Sequence, residues 1–105
     1  MRRTNKTIKT SSYKGPIKYG NTADCITAVC DSIKQMLLEK NKAYGDSAID
    51  PVRIFSKSPV EEQIKVRIDD KLSRIARGNE FPGEDTIDDL IGYLILLKIA
   101  KLKQQ

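Results

Sequence analysis

The chain has 105 residues, 39% apolar and 31% charged, with four prolines and neither histidine nor tryptophan. Lack of histidine excludes Ser-His and Cys-His nucleophile pairs, imidazole metal ligands and any general base with an ordinary pKa near neutrality, so acid-base work falls to carboxylates, lysine or tyrosine. The net charge of +5 is unevenly spread: residues 1 to 20 hold six Lys and Arg and no acid, while the remaining 85 carry 13 basic and 14 acidic residues.

A basic leader on a nearly neutral body reads as a solvated arm of residues 1–20, able to touch nucleic-acid phosphates or an acidic surface, followed by a helical domain over residues 21–105. Met1-Arg2-Arg3 is not followed by an apolar stretch of signal-peptide length, and no segment reaches the roughly 18–20 apolar residues of a membrane span. The expected location is the cytoplasm, with no membrane partner. Cys25 and Cys30 are five apart on a helical stretch, with no other Cys or His to complete a zinc site, and are expected to be buried reduced thiols.

Three amphipathic helices follow. The first is predicted from about Thr22 to Lys40, with Asn21 or Thr22 as cap, a stripe of Ile26, Val29, Cys30, Ile33, Met36 and Leu37, and Gly45 as stop. Asp50-Pro51 then suggests a short helical turn over Val52 to Phe55. The second helix opens at Ser58-Pro59-Val60-Glu61-Glu62, with Ser58 as cap and a stripe of Ile64, Ile68, Leu72, Ile75 and Ala76 ending before Gly78. The third begins near Glu84, after the Pro82-Gly83 turn, and runs to about Lys101. From Leu90 to Ala100 its only charge is Lys98, so one neighbouring stripe cannot cover it. Gly92 inside it costs about 1 kcal/mol relative to alanine, which suggests close approach of another backbone or a ligand. The expected fold is therefore all-α: a bundle of three main helices plus a short helical turn, completed by homo-oligomerisation.

Chemistry concentrates at three places. In Glu84-Asp85-Thr86-Ile87-Asp88-Asp89, the carboxylates of Asp85 and Asp89 are four apart and share an edge with Tyr93. Like charges about 6 Å apart repel by roughly 3 kcal/mol at an effective dielectric near 20, and by under 1 kcal/mol in water. If covered, the pair needs a cation, a basic partner or a shared proton; magnesium between carboxylates and substrate phosphates is the expected metal. The plainer alternative is that acids simply suit the first turn of any helix. On the second helix, Asp70 lies nearly opposite the apolar stripe among Arg67, Arg74 and Arg77, Asp69 lies at one edge of the stripe, and Lys71 borders the other, where it could meet a phosphate. At the end of the first helix, Lys40, Asn41, Tyr44, Asp46 and Ser47 offer an ammonium, an amide, a phenol, a carboxylate and a hydroxyl. These suffice to read a base edge and grip a phosphate, although the glycine spacing of a standard phosphate loop is missing.

Lys40-Asn41-x-x-Tyr44-Gly45-Asp46-Ser47, Asp70-Lys71-x-x-Arg74-Ile75 and Asp85-Thr86-x-x-Asp89-Leu90-x-x-Tyr93 together resemble the signature of the nucleotide modification associated domain of the first type. That is a small helical domain of bacteriophages and bacteria, and the resemblance covers about residues 28 to 100. Gly92 stands where that pattern has asparagine. The architecture is also similar to the all-helical nucleoside triphosphate pyrophosphohydrolases of the MazG and dimeric dUTPase group, which hold magnesium with paired Glu-x-x-Glu and Glu-x-x-Asp runs; this chain has Asp85-x-x-x-Asp89 instead. The resemblance implies a nucleotide ligand and two alternatives. In one, a magnesium-dependent pyrophosphohydrolase holds metal with Asp85, Asp89 and one of Asp69 or Asp70. Lys40, Lys71 or Arg74 neutralises phosphate, Asn41 and Tyr44 contact the base, and Asp46 and Tyr93 line the substrate site. In the other, the same helices bind a nucleotide without turnover, as in a phage anti-defence protein that sequesters a cyclic or ADP-ribose-type signal in the host cytoplasm. A third reading, a structural helical module whose basic arm binds nucleic acid or protein, needs neither.

Overall fold

The computed structural model describes residues 20–78 and 82–104. Most of the basic arm, residues 1–19, lies outside the described residues. Three α-helices form in chain order, α1 (Thr22–Tyr44), α2 (Val60–Arg77) and α3 (Thr86–Lys103), so the fold is an all-α helical bundle in which α2 packs against α3. The chain divides into two compact units, residues 1–43 and 44–105.

In the first unit, the Asp24 N–H donates to the Asn21 side-chain oxygen at 2.9 Å, satisfying one of the amides that a helix start leaves unpaired. Ala28 and Ile33 are buried, whereas Ile26, Val29 and Cys30 are exposed and Cys25 is half-buried. The expectation of two buried thiols is therefore corrected. Five residues advance a helix by about 140° around its axis, too far for both cysteines to lie under one covered stripe. α1 ends at Tyr44, where Gly45 turns left-handed with φ 62°.

The second unit begins with a turn in which the Asp46 carbonyl accepts from the Ile49 and Asp50 N–H groups. No helical turn forms over Val52 to Phe55. Arg53 adopts φ 64°, which a right-handed helix cannot accommodate, and hydrogen bonds hold it there. Its guanidinium donates to the carbonyls of Lys57 (3.3 Å) and Ser58 (2.7 Å), while the Lys57 ammonium donates back to the Arg53 carbonyl (2.9 Å). Ser58 does not cap α2: the cap position is Pro59, without a side-chain cap bond, and the Ser58 hydroxyl accepts instead from Ser56. Glu61 and Glu62 still complement the positive end of the α2 dipole.

α2 and α3 run antiparallel, and three ion pairs mark their register. Glu61, near the start of α2, meets Lys101, near the end of α3, at 3.0 Å; Lys71 meets Asp89 at 3.6 Å; Arg74, in the last turn of α2, meets Glu84, just ahead of α3, at 2.8 Å. Gly78 closes α2 in the left-handed conformation, its N–H donating to the carbonyls of Arg74 and Ile75. The apolar seam uses Ile64 and Ala100, and Gly92 is buried on α3.

Candidate functional site

The amino end of α3 is built by its cap. Asp85, in an extended conformation, accepts the Asp88 N–H at 3.0 Å through its carboxylate, and so fixes the direction in which the first turn leaves the Pro82-Gly83 turn. Thr86 then faces inward and is 1% exposed, and Asp89 follows on the next part of the same face.

Across the seam, α2 departs from the stripe that its sequence suggests. Ile64 is buried and Ile68 half-buried, but Leu72, Ile75 and Ala76 are exposed, and Lys71 turns towards α3 instead. The reason lies opposite: α3 presents an acid there, and an aliphatic chain against a carboxylate would leave the charge desolvated and uncompensated. Lys71 and Asp89 are each 13% exposed in their side chains. Their separation of 3.6 Å exceeds the roughly 2.7–2.9 Å of a close charge-assisted hydrogen bond, so the two charges neutralise each other without a tight bond between them. Arg74 and Glu84 are tighter but much more open to solvent.

The structure thus gathers Lys71, Arg74, Asp85 and Asp89 along one end of the α2–α3 hairpin, with half-buried Tyr93 one turn further along the face of Asp89. Asp69 and Asp70 are exposed on α2. Lys40 and Asn41 are exposed and belong to the first unit; Tyr44 and Asp46, also exposed, open the second. Glu84 and Thr86 joined the site only in three dimensions. The signal for Glu84 was its offset, since pairing α2 antiparallel to α3 with Lys71 level with Asp89 puts Arg74 level with Thr86, two residues from that acid and within reach of a long guanidinium side chain.

Among the described residues, no three Asp, Glu or Cys side chains stand together as a group able to hold a metal ion. Magnesium demands near-octahedral oxygen ligation at about 2.0–2.1 Å. Here Asp89 is matched by an ammonium and one Asp85 oxygen accepts the cap bond, a donor set that does not fit that ion within one chain. The arrangement sets the Lys71 ammonium beside the Asp89 carboxylate and, one turn away, the Arg74 guanidinium on Glu84, at the dipole-positive start of an 18-residue helix. None of the described helices is long and apolar enough to cross a membrane. No family model matches the chain, nor does any curated protein or solved structure.

Proposed function

We propose that this chain is a nucleotide-binding helical protein that holds a phosphate-bearing ligand at the amino end of α3 without hydrolysing it. The observation that carries this reading is the Lys71–Asp89 pair, enclosed to 13% exposure yet 3.6 Å apart. A phosphate oxygen, with more negative charge than a carboxylate and a closer approach, is a natural competitor for that ammonium, and Arg74 lies within one turn to share the load. The resemblance to the nucleotide modification associated domain supports a nucleotide as the ligand. Replacement of a paired-glutamate metal motif by Asp85-x-x-x-Asp89 supports binding over turnover, as in sequestering a signalling nucleotide in the cytoplasm.

The test is to incubate purified protein with a panel of nucleoside triphosphates and cyclic or ADP-ribose-type nucleotides, with magnesium and with chelator, and to weigh the ligand that remains bound. Retention of an unaltered nucleotide in chelator is the expected result. Magnesium-dependent pyrophosphate release that disappears in Asp89→Ala would establish the hydrolase in its place. Salt-sensitive nucleic-acid binding that disappears on removal of residues 1–20, with no nucleotide held, would overturn both.

A further inference from the structure

The end of the α2–α3 hairpin that carries Lys71 holds two cations in unlike settings. Lys71 and Arg74 are three apart on α2, and each meets one carboxylate from across the seam. The two carboxylates are anchored differently. Asp89 lies within α3, so its place in the helix keeps it beside Lys71. Glu84 precedes Asp85, the cap of α3, and follows Gly83, whose backbone is left-handed at φ 88°. The cap bond to the Asp88 N–H runs through Asp85, so the Glu84 side chain can move without opening the helix. Its contact is one Arg74 Nη1 donating to one Glu84 Oε1 at 2.8 Å, with both side chains open to solvent. Such a pair contributes little net free energy and is readily exchanged.

We infer that Glu84 is an internal competitor for the proposed phosphate site: in the empty protein its carboxylate occupies the Arg74 guanidinium, and a ligand phosphate takes its place. The inference rests on the nucleotide reading above and adds to it a residue that weakens binding. A phosphate carries more charge than a carboxylate and presents more acceptor oxygens to the planar arginine fork, so it is the stronger partner for Arg74. Position supports the exchange. Arg74 stands about 4.5 Å beyond Lys71 along the helix axis at 1.5 Å per residue, a span that two linked phosphates bridge. A ligand with a diphosphate group is therefore the class that meets both cations, and Glu84 is the acid it displaces.

Calorimetric titration with inorganic pyrophosphate, in chelator and at low ionic strength, tests this in full-length variants whose helical circular dichroism matches wild type. Glu84→Gln keeps the shape of the side chain and removes its charge, and should lower Kd by about two- to fivefold, the range set by an exposed ion pair. Lys71→Met should raise Kd at least about tenfold with either residue at position 84, which reads the phosphate site separately. A double-variant cycle isolates the competition. With Arg74→Met in place, Glu84→Gln should leave Kd unchanged, whereas a gain from merely removing a nearby negative charge would persist without Arg74. A Glu84→Gln protein that binds pyrophosphate through Lys71 no more tightly than wild type overturns the inference and leaves the nucleotide reading standing. So does a gain that survives Arg74→Met. Pyrophosphate binding absent from wild type and Glu84→Gln alike overturns that reading, and the inference with it.

Discussion

Lys71 and Asp89 show how a single position can carry both stability and recognition. An exposed ion pair contributes at most about 1 kcal/mol, whereas removing one member of a fully buried pair costs about 3–5 kcal/mol. At 13% exposure on each side the pair falls between these limits. Asp89→Asn should therefore lower the unfolding free energy by about 2 kcal/mol, measured by urea denaturation, because it leaves an enclosed ammonium without its counter-charge. Joint replacement, Lys71→Met with Asp89→Leu, should recover most of that loss, since an apolar pair leaves no desolvated charge. If the double variant is less stable than Asp89→Asn alone, the pair is held by more than mutual neutralisation. Gly78 is a simpler case. Its φ of 71° is left-handed and a Cβ there would meet nothing within 4 Å, so Gly78→Ala should cost about 1 kcal/mol through backbone conformation alone. The same denaturation measurement reads it.

Helix existence was legible because each element carries its own signals. Asn21 caps α1, Gly45 and Gly78 follow helix ends in left-handed conformations, and Asp85 caps α3 after Pro82-Gly83. Local hydrogen bonding was much less legible. Ser58 has the right type and place for a cap, but its hydroxyl accepts from Ser56 and its carbonyl from Arg53 and Gln63, a competition that no single-position preference records. Residue periodicity likewise put Leu72 in the seam and Lys71 at its border, whereas the structure faces Lys71 inward because Asp89 stands across from it. For the candidate site, sequence spacing singled out Asp85, Asp89, Lys71 and Arg74, but it could not tell that Lys71 meets Asp89, that Arg74 meets Glu84, or that Asp69 and Asp70 stay exposed. At this scale the cap makes a separable prediction. Asp85→Ala should cost about 1 kcal/mol by leaving the Asp88 N–H without its acceptor, and Asp85→Ser should restore most of it. Thermal unfolding followed at 222 nm checks both.

For the molecule as a whole, charge and apolar surface are arranged along the sequence with little overlap. The excess positive charge lies in the first 20 residues, the mixed charges lie on the helices, and the least interrupted apolar run lies in α3. A helical hairpin with three ion pairs along its length and few fully buried side chains has limited stability of its own. Further burial of α3 and occupation of its amino end by an anion both act in the stabilising direction. On the proposed reading Lys71, enclosed beside the Asp89 carboxylate, is a phosphate-recognising group. Nucleotide affinity by calorimetry for wild type and Lys71→Met, each with its helical content verified, tests this most directly. Loss of a charged hydrogen bond is worth about 1.5–3 kcal/mol, so the account predicts that Kd rises at least about tenfold in the variant. An unchanged Kd in a folded Lys71→Met protein would contradict it.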